Sequence, residues 1–91
     1  MAFRDIQPQA PVHVLVVPRR HIAHAGDLTD EHAEDLAAMF SAARAVADSE
    51  GIGEPDRGYR LVLNVGKDAL NSVPHLHLHV LGGRPMTWPP G

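Results

Sequence analysis

The spacing of apolar residues changes along this chain, and the changes divide it into elements. Residues 3–6, Phe-Arg-Asp-Ile, are read as a short strand before the turn at Gln7-Pro8-Gln9. Pro11 and Pro18 bracket residues 12–17, a run rich in β-branched side chains and of ordinary strand length, with His13 on the face of Leu15 and Val17. From residue 30 to residue 50 the period becomes helical, and Ala33, Leu36, Ala37, Phe40, Ala43 and Ala47 fall on one stripe. Thr29 is the expected N-cap, Asp30 and Glu31 suit the positive end of the helix dipole, and Gly51 is the expected stop.

Residues 53–58 read as a turn, followed by a strand over 59–65 that sets Leu61, Leu63 and Val65 against Arg60, Val62 and Asn64. A loop over 66–72 leads into a last strand over 73–81, which Gly82-Gly83 ends. The tail, 84–91, carries three prolines that lack ladder donors, so it is expected to lie extended on the surface. The order strand, strand, helix, strand, strand predicts an α+β domain with a mostly antiparallel sheet and one main helix.

With 91 residues the chain makes one domain, 1–91, and its core must be thin, so a partner subunit would help. Eight Lys and Arg against eleven Asp and Glu, with no basic run, argue against a nucleic-acid polymer as ligand and leave a single nucleotide open. Cysteine is absent, which excludes disulfides, thiol catalysis and Cys-ligated zinc and fits a cytoplasmic location. No apolar stretch suffices to span a bilayer, so no membrane association is expected.

One segment does not fit a bland domain. In residues 75–81 alternation sets His75, His77 and His79 in a row on one face while Leu76, Leu78 and Val80 face the core. Neighbours in such a row stand roughly 6.5 Å apart, so the middle ring, His77, is the one that both others can assist. A neutral imidazole can attack phosphorus, and flanking rings can bind phosphate oxygens or move a proton. Ser72, Asn71, Asn64 and the turn backbone offer donors for developing negative charge. Two histidines at i and i+2 can also share a zinc ion, with His13 or His21 as third ligand, and the row alone leaves that alternative open. His24 and His32 lie in ordinary loop and helix-start settings.

The segment His75-Leu-His-Leu-His79-Val-Leu81 resembles the signature of the histidine triad superfamily. Further similarity to its nucleotide-binding branch runs through residues 2–6, 8–11, 13–18, 20–22 and 58–60, Asn64, 81–84 and the ending 86–91. The resemblance implies a histidine triad (HIT) fold, assembled as a two-fold dimer whose subunits join their sheets. It also implies a hydrolase or nucleotidyl transferase that cleaves purine nucleoside phosphoramidates at the P–N bond and needs no cofactor or catalytic metal. Carried over, His77 would attack the α-phosphorus, His79 and His75 would orient ring and phosphate, and His13 would complete the set. Asp5 and Ile6 match the positions that meet the ribose, and Phe3 is a further substrate-binding position; Asn64, Leu70, Asn71 and Ser72 match phosphate positions; Trp88 would lie near the partner's site. The alternative is a nucleotide-binding or interaction module with little catalysis. Two departures stand out. Relatives usually carry a further stretch before Ala2, whose strands pair beside residues 3–6 and build part of the base pocket, so this chain is N-terminally short and an open sheet edge is expected there. In addition, Ala69 and Leu70 stand where relatives usually have glycines.

Overall fold

The computed structural model describes residues 1–91 and arranges them as a four-stranded antiparallel sheet with one long helix across one face. The strands are β1 (Ala2–Arg4), β2 (Val12–Val16), β3 (Tyr59–Val62) and β4 (Leu78–Gly82), in the spatial order β1-β2-β4-β3. The helix, α1 (Ala33–Ser49), lies between β2 and β3 in sequence. This is the α+β architecture that the element order predicts. No helix is long and apolar enough to cross a membrane.

Strand register decides what each face carries. Val14 stands opposite Val80, Val16 opposite Leu78 and Leu61 opposite Val80, so the apolar members of three strands share the face that α1 covers. The core holds Val14, Val16, Leu76, Leu78 and Val80 from the sheet side, with Ile22 and Ile52 from loops. On the opposite face Leu15 pairs with His79 and His13 with Leu81. Two hydrophobic strands therefore bury one face in the core and hold histidines on the other.

The helix begins one turn later than its predicted start. A 3₁₀ turn over Asp30–His32 precedes it, capped by Thr29, whose hydroxyl accepts from the Glu31 N–H. The His32 ring completes this box by accepting from the Thr29 N–H at 3.0 Å. At the other end Gly51 adopts φ +74°, the left-handed conformation that stops a helix most cheaply with glycine.

The buried stripe differs from the expected one: Met39, Ala43 and Ala47 are buried, flanked by Leu36, Ala42 and Val46, whereas Phe40 is 41% exposed and Ala33 is exposed. The expected stripe tied Ala43 and Ala47 to Phe40, but Met39 is the residue exactly one i, i+4 step before Ala43. Its flexible thioether fills the sheet–helix gap, and the bulky ring stays at the rim.

The last strand is shorter than the expected 73–81. The ladder of β4 starts at Leu78 because its partner β2 ends at Val16, two residues before Pro18, which offers no N–H. Likewise β3 pairs only to Val62, so Asn64 and Val65 lie beyond the sheet. Alternation persists ahead of the ladder, with Leu76 buried and His75 and His77 half-buried.

Candidate functional site

A diagonal contact across β2 and β4 begins the site. Because Leu15 faces His79 in register, His13 lies diagonally from His79 on the same face, within reach of long side chains. Their rings lie 5.1 Å apart between centroids, and His13 Nε2 is 2.8 Å from His79 Nδ1. His13 is 5% exposed. The His77 ring meets His79 edge to face, with centroids 5.0 Å apart. The structure thus brings His13, His77 and His79 together.

Hydrogen bonds fix which nitrogens carry protons. The Gln9 N–H donates to His13 Nδ1 at 3.0 Å, so that nitrogen holds a lone pair and the proton of His13 sits on Nε2. From there it is donated to His79 Nδ1, which leaves the remaining proton of a neutral His79 on Nε2. On His77 the order is reversed. Its Nδ1 lies 2.8 Å from the His75 carbonyl, and a carbonyl only accepts, so Nδ1 carries the proton and Nε2 a free lone pair. One ring presents a nucleophilic nitrogen and its neighbour presents an N–H.

Burial is the main cause that holds the His79 ring below the ordinary histidine value of 6.5, with His77 and His13 adding to it and Asp5 opposing. His79 is thereby kept neutral near pH 7, in the form that the relay requires. The sign for stability follows: the unfolded chain takes up this proton near 6.5 and the folded chain only at lower pH. The contribution is full above about 6.5 and is lost as pH falls from there through the folded value. An NMR titration of the His79 ring is expected to give a midpoint below the ordinary 6.5; a midpoint at or above it would refute the burial argument.

The other predicted residues fall into two groups. Asp5 turns inward: Oδ1 accepts from the Gln7 N–H at 2.8 Å and Oδ2 lies 3.4 Å from His13 Nε2. Its neighbours point out, with Ile6 95% and Phe3 47% exposed on the open edge that β1 forms. The loop before the histidines contains a 3₁₀ turn, Lys67–Ala69, and Leu70 with φ +62°, exposed and in a conformation that glycine adopts without cost. Asn64 is half-buried and Ser72 exposed, while the Oδ1 of Asn71 is buried without a hydrogen-bond partner. That acceptor is available to a ligand N–H or O–H. Trp88 is exposed in the tail, its ring 5.9 Å from the Arg60 guanidinium.

His75 departs from the expected row. Its ring turns to His21, with the two Nδ1 atoms 3.0 Å apart, and what it gives His77 is its backbone carbonyl. One contributor escapes a reading by residue type: Gln9 acts through its main-chain N–H, which has no side-chain signature. His21, named above only as a possible zinc ligand, stands instead against the His75 ring.

Asp5, His13 and His79 also offer three ligand atoms within 4.8 Å of one another, enough for a cation in number. The proton pattern opposes it. A neutral imidazole that ligates through Nε2 carries its proton on Nδ1, and in His13 that proton would point at the Gln9 N–H. The cluster suits proton relay better than metal binding.

Comparison with known proteins agrees with the geometry. The profile of the HIT domain matches residues 1–86. An uncharacterised HIT-like protein of Synechococcus elongatus is 47% identical over 91 residues, 100% of this chain and 77% of its own. The purine nucleoside phosphoramidase of Escherichia coli is 45% identical over 85 residues, 93% of this chain and 70% of the enzyme. Among solved structures, a HIT family hydrolase from Legionella pneumophila superposes with a TM-score of 0.93 at 52% identity, covering 99% of this chain and 79% of that one.

Proposed function

Since the chain belongs to the HIT domain family of nucleotide hydrolases, we propose that it cleaves purine nucleoside phosphoramidates through a nucleotidyl group carried on His77. The observation that carries this reading is the hydrogen bond from His77 Nδ1 to the His75 carbonyl, which leaves Nε2 as the only lone pair of a neutral ring. Nε2 attacks the α-phosphorus, the P–N bond breaks, and the departing nitrogen takes up one proton from solvent. The adduct ring is cationic, and the same carbonyl accepts from its Nδ1–H. Water then attacks phosphorus and gives up a proton to solvent, the bond to Nε2 breaks, and the nucleotide leaves.

His79 supports both steps. Its Nε2–H, set by the relay from Gln9 through His13, is a fixed donor for an oxygen of the reacting phosphoryl group, already oriented before charge develops. Asp5 and Ile6 are the proposed ribose contacts, with Phe3 as a further substrate contact; Asn64, Leu70, Asn71 and Ser72 are proposed around the phosphate. The buried, unpartnered Asn71 Oδ1 suits a ligand donor. No cofactor enters this chemistry.

A homodimer is part of the reading. Only 14 of 91 residues are buried, β3 is an outer strand of the sheet, and Trp88 is exposed in the tail. The lack of cysteine fits a cytoplasmic setting.

Intact-mass analysis after mixing with an adenosine 5′-phosphoramidate is expected to show the mass of one nucleotidyl group, and peptide mapping to place it on His77. Turnover without any trapped adduct on rapid quenching would instead favour direct attack by water.

A further inference from the structure

The histidines ahead of the β4 ladder need a separate anchor. His75, Leu76 and His77 lie before Leu78, where pairing with β2 begins, so no sheet hydrogen bond to β2 holds them. Residues 21 and 22 take over that role. The Leu76 N–H donates to the Ile22 carbonyl at 2.6 Å, and both side chains enter the core, 3% and 4% exposed. On the outer side the rings of His21 and His75 face each other at 5.2 Å between centroids, with Nδ1 to Nδ1 at 3.0 Å. The peptide of His75 is therefore held by a backbone bond on one side and by a ring pair on the other. Its carbonyl is the group that sets the His77 proton, at 2.8 Å.

We infer that His21 is a positioning residue for the reaction: its ring holds His75 so that the His75 carbonyl keeps the His77 proton on Nδ1 and the attacking lone pair on Nε2. The inference rests on the reading of His77 as nucleophile. The ring pair explains why His75 leaves the row: its imidazole is engaged sideways, and its contribution to the centre passes through the backbone. Nδ1 facing Nδ1 makes a hydrogen bond only while one of them is protonated and the other is not, so a side chain that replaces His21 must offer a matching donor or acceptor near the same point. Asparagine does, because its amide reaches from about the same position as Nδ1; alanine does not.

Without the anchor the His75 peptide can turn, and His77 regains the freedom to place its proton on Nε2, which removes the nucleophile. In His21→Ala, kcat for a nucleoside phosphoramidate is expected to fall on the order of tenfold while KM changes by less than about twofold, since substrate contacts remain but attack geometry is lost. His21→Asn is expected to recover most of the loss. Long-range ¹H–¹⁵N spectra of the histidine rings supply an independent readout: His77 in the parent protein should give the Nδ1–H pattern, His21→Ala a mixed or reversed pattern, and His21→Asn the parent pattern. A folded His21→Ala protein with an unchanged His77 pattern would overturn the inference, as would an asparagine variant as impaired as alanine. If the parent protein turns over no phosphoramidate, the proposed function fails, and the ring spectra alone decide whether His21 sets the His77 proton.

Discussion

Replacing His77 with alanine is expected to reduce phosphoramidate turnover by on the order of 10⁴-fold or more, the scale seen when the nucleophile of a covalent mechanism is removed. Nucleotide binding should change little, because the lost group acts on phosphorus rather than on base or ribose. The other two histidines of the row provide the contrast. His75→Ala keeps the carbonyl that His77 uses and loses only the ring pair with His21, so its loss should be nearer tenfold. His79→Ala removes the oriented N–H and should fall between the two, on the order of 10² to 10³-fold, as for one donor to a developing oxyanion. Steady-state kinetics on the three variants, with AMP binding measured by calorimetry, checks the order. Equal losses at all three positions would mean that the His75 ring handles phosphate directly, contrary to its place beside His21.

That order is not one the sequence could have supplied. Strict alternation in residues 75–80 was enough to read three histidines on one side and three apolar residues on the other, because side-chain period is a local property of extended backbone. It gave the middle residue a special position for a reason that the structure changes: His77 is assisted by one neighbouring ring and one carbonyl, not by two rings. The difference arises where the ladder stops. Pairing depends on the length of the partner strand, and β2 ends at Val16, so residues before Leu78 follow a different neighbour, the His21-Ile22 segment. Nothing in the spacing of residues 75–81 encodes which distant segment will do this.

The same distinction separates the other elements. The cap at Thr29 and the stop at Gly51 are local chemistry and stand where the sequence places them. The buried stripe of α1 depends on how the helix is rotated on the sheet, and there Met39 replaces Phe40. His13 was legible as a strand residue. Its partnership with His79 needed the register of two strands 66 positions apart, and its proton state needed a main-chain N–H from Gln9. The site is thus readable in its residue types and unreadable in its proton placement, which is set by long-range pairing.

Two leucines in neighbouring segments should respond very unequally to truncation. Leu78 is 1% exposed, stands opposite Val16 in the ladder and lies between His77 and His79 in the chain. Leu78→Ala removes three carbons from a close-packed site and is expected to cost about 3 kcal/mol, lowering Tm by about 10–20 °C in a domain of this size. Leu70 is 87% exposed in its loop, and Leu70→Ala should change stability by less than about 0.5 kcal/mol. Thermal and denaturant unfolding of both variants, at one protein concentration so that any subunit association is held constant, measures the difference. The Leu78 effect should extend to the site, because the backbone that anchors this side chain in the core also aims His77 and His79 at the opposite face. A cavity that lets β4 shift would loosen the 2.8 Å contact between His13 and His79, so turnover per folded molecule should fall together with stability. A Leu78→Ala protein as stable as the parent would mean that this thin core closes over the lost volume, and that the histidines do not depend on the packing behind them.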